Sequence, residues 1–311
     1  MITLKTTFII GAGCSIPFGF PSADELHWKI IDLLENAQRR HELAEAVERE
    51  ESFVNEFRFA LQHANCFSID RFIEGCPEFL NIGKAAIASV LLPREIELQL
   101  VSRESAPEHW LRYIWDKMQT GKLVDVAKNQ VSFVVFNYDR SIEHYLVRAM
   151  SAIYRDSNLN CARVLSTVPI IHIYGSLGRY PGLAGALESD LEVSYSGDCS
   201  AEQVRRAMKC ITLAPESQAP QAQSFADART AIARSNRVVF LGFGYGRANV
   251  ERLGNTEFWQ DVRSRTPIWG TVLGMEEAEL RAVHDAFGIQ LQHYGPSVRA
   301  LQFLRKHFDR W

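Results

Sequence analysis

The chain has 311 residues, of which 47% are hydrophobic and 23% charged, and its 34 Lys and Arg against 37 Asp and Glu leave a formal net charge of −3. That length suits one large α/β domain, and that charge offers no basic footprint for nucleic acid as a primary ligand. No apolar stretch approaches the roughly 18 residues of a membrane span, the N-terminus has no signal pattern, and the cysteines (Cys14, Cys66, Cys76, Cys161, Cys199, Cys210) form no C-x-x-C pair. A cytoplasmic chain without a membrane segment, a disulfide framework or a metal site is expected.

The first element is the apolar run Phe8-Ile9-Ile10, which breaks into Gly11-Ala12-Gly13-Cys14-Ser15. A buried strand ending in a glycine turn lets the backbone approach a pyrophosphate, so a phosphorylated ligand is expected there. A dehydrogenase fingerprint would continue with glycine at position 16 and an acid at the end of a second strand about 20 residues on. Position 16 is Ile16, and Asp32 lies in a run whose apolar spacing is helical, so ordinary hydride transfer is not expected. Ser22 and Glu25 have the spacing of a capping box and mark a helix start. From there to residue 127 the chain reads as mostly helical, with amphipathic spacing around Leu43 to Phe59 and Trp110 to Met118.

Short runs rich in Val and Ile then predict strands at 131–136, 168–174, 209–213 and 237–241, with a further one at 267–273. A loop enriched in Pro, Gln and Ala covers 214–223, and the tail reads as closing helices at 276–287 and 298–311. The expected architecture is a single Rossmann-like, doubly wound parallel sheet spanning 1–311, with a helical insertion at 24–127 that can lid the ligand crevice.

In an open parallel sheet the loops at the strands' carboxyl ends share one crevice. Those loops are GAGCS at 11–15 with Gly19-Phe20-Pro21-Ser22, NYDRSIE at 137–143, YGSLG at 174–178 and GFGYGRAN at 242–249. Together they resemble the SIR2-like family, the sirtuin-related NAD-binding domains of bacterial antiphage defence systems. The resemblance implies NAD+ across the crevice, with Gly11, Ala12, Gly13, Ser15 and Pro21 around the diphosphate. Gly175 and Ser176 would be further cofactor-binding residues, and Gly242, Gly244 and Asn249 would lie near the adenosine half. It implies that Asn137 is the catalytic asparagine, whose uncharged amide can orient a water or ribose hydroxyl near C1′. Asp139 would support the nicotinamide-ribose site or stabilise developing positive charge at the anomeric carbon. The residues by themselves also allow Asn137 and Asp139 simply to cap the helix that starts near Ser141.

The chain departs from the family where relatives carry His before Gly-Ser-Leu. Here that residue is Tyr174, with His172 two positions earlier. Residues i and i+2 of a strand share a face, so both are candidates for the ribose site. Histidine suits a base near neutral pH, whereas tyrosine, with a reference pKa of about 10, does not. Three readings stand: His172 is the base, Tyr174 positions substrate, or the site binds NAD+ without cleaving it. His172 also fits a packed strand histidine. The missing cysteine pairs and the sequence Pro21-Ser22-Ala23-Asp24 speak against a protein deacylase. The resemblance implies NAD+ hydrolysis to nicotinamide and ADP-ribose, deployed as NAD depletion during infection. Its restraint would come from homo-oligomerisation or from a separate sensor, a HerA-like ATPase or a short Argonaute by analogy. A non-catalytic NAD-binding scaffold is the alternative.

Overall fold

The computed structural model describes residues 1–64, 66, 68–102, 106–183, 190–213 and 223–308. In chain order the strands are β1 (Thr6–Ile10), β2 (Val131–Val135), β3 (Ile170–His172), β4 (Arg237–Leu241) and β5 (Ile268–Gly270). Between β1 and β2 run α1 (Ala23–Glu35), α2 (Ala37–Val47), α3 (Glu51–Ala64), α4 (Ile69–Gly75), α5 (Leu80–Leu91), α6 (Glu97–Val101) and α7 (Trp110–Met118). The helices that follow are α8 (Ser141–Tyr154), α9 (Asn158–Leu165), α10 (Ala201–Cys210), α11 (Gln223–Ala233), α12 (Arg247–Leu253), α13 (Thr256–Arg265), α14 (Glu277–Phe287) and α15 (Ala300–Phe308).

The strands form one sheet in the order β3-β2-β1-β4-β5, every pair parallel. β1 is buried along its whole length, pairing Ile10 with Val135 on one side and with Leu241 on the other. The period-2 alternation of strand side chains divides the core. Phe8, Ile10, Phe133 and Val135 pack with the insertion helices, α8 and α9, while Ile9, Val134, Val238 and Phe240 pack with α11 to α14. The chain moves outward from β1 to β2 and β3, then returns to the other flank of β1 as β4. The topological switch point therefore lies between β1 and β4, where open α/β sheets bind their ligands.

Local sequence explains the helix starts. Ser22 Oγ accepts from the Glu25 N–H at 3.2 Å and Glu25 Oε2 accepts from the Ser22 N–H at 2.7 Å, the reciprocal bonds expected from their spacing. The predicted amphipathic run 43–59 divides into α2 and α3, because Glu48 adopts a left-handed conformation, φ 55°, and ends α2. The predicted strand at 209–213 is a correction. Lys209 and Cys210 finish α10, whose buried Val204 and Ala207 lead into Ile211, so the apolar run belongs to the end of a helix. Ile211 then makes one antiparallel bridge, to Gly175, and joins no strand. Within 168–174 only Ile170–His172 is strand, and within 267–273 only Ile268–Gly270. Most of the loop at 214–223 lies outside the described residues, as does the chain end at 309–311. Among the described residues no helix is long and apolar enough to cross a membrane.

Candidate functional site

The loops after β1, β2, β4 and β5 floor a cleft of about 760 Å³, and residues of the insertion and of the segment before α15 complete its walls. That volume is in the range of pockets for small molecules and cofactors. Of the residues singled out in the sequence, Gly11, Ala12, Gly13, Ser15, Pro21, Asn137, Asp139, Tyr174, Gly242, Gly244 and Asn249 line it. His172, Gly175 and Ser176 do not.

The glycines of the first loop meet those of the fourth strand's loop. The N–H groups of Gly11 and Gly13 donate to the carbonyls of Leu241 (3.0 Å) and Gly242 (2.9 Å). A Cβ on Gly13 would stand 2.9 Å from Gly242 Cα, and one on Gly242 would stand 2.4 Å from the Cys14 nitrogen. Gly242 also has φ 56°, in the left-handed region. These glycines thus let two backbones cross at the switch point. In this arrangement the N–H donors of Gly11 and Gly13 are engaged by carbonyls at the start of the β4 loop. Gly244 differs, since a Cβ there would meet nothing within 4 Å.

The asparagine and aspartate after β2 form a buried network with Ser15. Asn137 Nδ2 donates to the Gly11 carbonyl at 3.0 Å and to Ser15 Oγ at 2.7 Å, and Ser15 Oγ donates to Asp139 Oδ2 at 2.6 Å. A carbonyl only accepts, so the amide must turn its nitrogen to Gly11 and leave Oδ1 as the group presented elsewhere. Asp139 Oδ1 accepts from the Ser141 N–H at 3.1 Å, so Asp139 does cap α8. Among the described residues no N–H of the α8 terminus donates to Asn137 Oδ1, and the amide nitrogen is committed to the first loop.

His172 and Tyr174 part company because β3 ends at His172 and Ile173-Tyr174 lie in a turn. The alternation that would have placed both side chains on one face stops there. The His172 ring lies under the β2 loop, Nδ1 3.1 Å from the Asn137 carbonyl and Nε2 2.7 Å from Glu143 Oε1. Burial disfavours its charge, but the Glu143 carboxylate and the Asn137 carbonyl prevail and raise its pKa. Burial likewise opposes ionisation of Glu143, and the facing His172 prevails to lower its pKa. Tyr174 stands edge-on to Phe136 and Phe225. Arg252 Nη1 donates to its hydroxyl at 3.0 Å, and the hydroxyl donates to Asn249 Oδ1 at 2.5 Å. Burial raises the Tyr174 pKa, with Arg252 offsetting part of the effect, so the phenol keeps its proton. That proton fixes the Asn249 amide with its oxygen toward Tyr174 and its NH₂ directed away. Gly175, at φ 71°, would bring a Cβ 1.8 Å from the Cys210 carbonyl, and the Ser176 N–H donates to that carbonyl at 3.2 Å. These two residues seat the turn on the end of α10 and lie away from the cleft.

Other contributors carried no local signal in the sequence. Glu95, after α5, forms a fully buried ion pair with Arg140 and also accepts from the Arg140 N–H at 3.0 Å. Arg140 donates onward to the carbonyls of Val193 and Arg179, so one guanidinium joins the insertion, the β2 loop and the segment after β3. Trp110 of α7 lines the cleft and donates from Nε1 to the Cys14 carbonyl at 2.8 Å. Arg299, also on the cleft wall, pairs with Glu108. The Cys14 thiol is fully buried, and burial with Asp139 nearby pushes its pKa well up, which makes it a packing residue. Comparison of the chain with protein-family models, with curated proteins and with solved structures gave no match in any of the three.

Proposed function

We propose that the cleft binds NAD+ and hydrolyses its nicotinamide–ribose bond, and that the chain is a SIR2-like antiphage effector acting by NAD depletion. The observation that carries this reading is the Asn137 amide. It lies at the cleft floor beside the switch point, with its nitrogen committed to Gly11 and Ser15 and its oxygen left as an acceptor. An acceptor without charge suits the task of holding a water or ribose hydroxyl near C1′ without trapping the cationic sugar of the transition state. Water adds to C1′, the nicotinamide departs with the electron pair of the glycosidic bond, and the water's proton passes to solvent. Asp139, its Oδ2 held by Ser15, contributes negative charge on the same wall. Restraint until infection would come from self-assembly or a separate sensor, a HerA-like ATPase or short Argonaute being the partners the sequence resemblance implies.

A second reading, a non-catalytic NAD-binding scaffold, is favoured by one specific observation. Neither His172, buried against Glu143, nor Tyr174, held by Arg252 and Asn249, offers a base to the cleft. The two readings separate in a time course of thermal unfolding with NAD+. A hydrolase is stabilised at first and loses the stabilisation as ligand is consumed, while a scaffold keeps it. No stabilisation by NAD+ at any time contradicts both.

A further inference from the structure

His172 and Glu143 lie beneath the cleft, with side chains 11% and 7% exposed, and their contacts dictate where protons must be. The Asn137 carbonyl can only accept, so His172 Nδ1 carries a proton. A neutral ring would then turn the bare Nε2 lone pair toward Glu143 Oε1, two acceptors 2.7 Å apart. The contact requires a second proton between them. The pair therefore holds one proton more than a free carboxylate and a neutral imidazole would. Among the described residues Glu143 Oε2 is buried with no partner, which leaves His172 as the one side chain bonded to this carboxylate there. The charged and titratable groups facing the pair are Asp139 and Arg140 on the β2 loop and Tyr180 beyond β3.

We propose that protonated His172, held by Glu143, is a positioning residue that clamps the Asn137 backbone so that its amide stays aimed into the cleft, and that loss of the proton releases the clamp. This rests on reading Asn137 as the residue that serves the proposed hydrolysis. It also opposes the alternative role for His172. A general base must begin deprotonated, so its activity rises as the group loses its proton. A neutral ring has one N–H, and holding it on Nε2 for the Glu143 carboxylate leaves Nδ1 bare against the Asn137 carbonyl, so the clamp works only while the ring is doubly protonated and activity falls along the same titration.

The test combines ¹⁵N-histidine NMR with the pH dependence of NAD+ turnover, using the full chain as wild type, Glu143→Gln and His172→Gln. Both His172 nitrogens should be protonated at neutral pH, with a midpoint above the ordinary value of about 6.5. In Glu143→Gln the midpoint should fall, and the descending limb of kcat should move down by the same interval while KM holds. His172→Gln keeps an amide donor for the Asn137 carbonyl and should retain turnover with that limb removed. A midpoint unmoved in Glu143→Gln, a kcat that climbs as His172 deprotonates, or a dead His172→Gln with an unchanged melting temperature would overturn the clamp. Should wild type fail to turn NAD+ over in any assembly, the proposed hydrolysis fails on its own. The clamp is then read from NAD+ binding, which must weaken in step with the His172 titration and overturns the proposal if it does not.

Discussion

Two amides in the cleft have their orientation forced by neighbours that can only give or only take a proton. Asn137 offers an acceptor because Gly11 accepts from it, and Asn249 offers donors because the Tyr174 phenol, itself bonded by Arg252, must donate to it. Tyr174→Phe removes the middle of that relay and frees Asn249 to turn. We predict that NAD+ binding by calorimetry weakens by about three- to tenfold, near the worth of one hydrogen bond, with the pH profile unmoved. Complete loss of turnover with intact binding would instead make Tyr174 a catalytic residue. The His172–Glu143 pair has a stability signature with a definite sign. The His172 pKa is raised, so its contribution is lost as pH rises through the folded value; the Glu143 pKa is lowered, so its contribution is lost as pH falls through the folded value. Relative to His172→Gln, wild type should gain most stability between those two limits and least outside them in urea titrations across pH.

Among the elements, the glycine loops were legible in the sequence as a site but not as a mechanism. GAGCS and GFGYG announce tight turns after strands, yet only the parallel neighbours β1 and β4 reveal that the glycines serve each other. Gly242→Ala combines a left-handed φ with a clash against backbone and should cost about 2 kcal/mol or more, whereas Gly244→Ala should stay within about 0.5 kcal/mol, both by chemical denaturation. The strand reading of 209–213 failed because a short apolar run at a helix end has the same composition as a buried strand, and periodicity over five residues cannot separate them. The grouping of His172 with Tyr174 failed because it assumed that β3 continued to position 174. Glu143 stood inside a motif already singled out, but its partner is 29 residues away, and Glu95 lies 45 residues from Arg140. Pairings at such separation leave no local pattern. Glu95→Ala would strand a buried guanidinium, and we predict a loss of about 3–5 kcal/mol in denaturant unfolding.

Over the whole molecule, the parallel sheet and the sharing of one crevice by its loops were readable from five of the six predicted runs, whereas the strand order and the position of the insertion relative to the cleft were not. The structure ties the insertion to the sheet's loops through Trp110 and Cys14, Glu95 and Arg140, and the rim pair Glu108 and Arg299. The first two are buried and the third exposed, so the rim pair is the contact that can open at little cost. Glu108→Ala should therefore change global stability by no more than about 1 kcal/mol while raising hydrogen exchange in α7. Unchanged exchange there would mean that the buried ties alone hold the insertion down.

The central claim is that this arrangement cleaves NAD+ through Asn137. The most direct measurement is mass-spectrometric detection of nicotinamide and ADP-ribose released from NAD+ by wild type and by Asn137→Ala, alone and with the product of a neighbouring gene. The account predicts release by wild type and a drop of about 100-fold or more in the variant, the scale seen when a preorganised polar group is removed from an active site. Release that survives Asn137→Ala, or NAD+ that binds wild type and stays intact under every assembly condition, would contradict it.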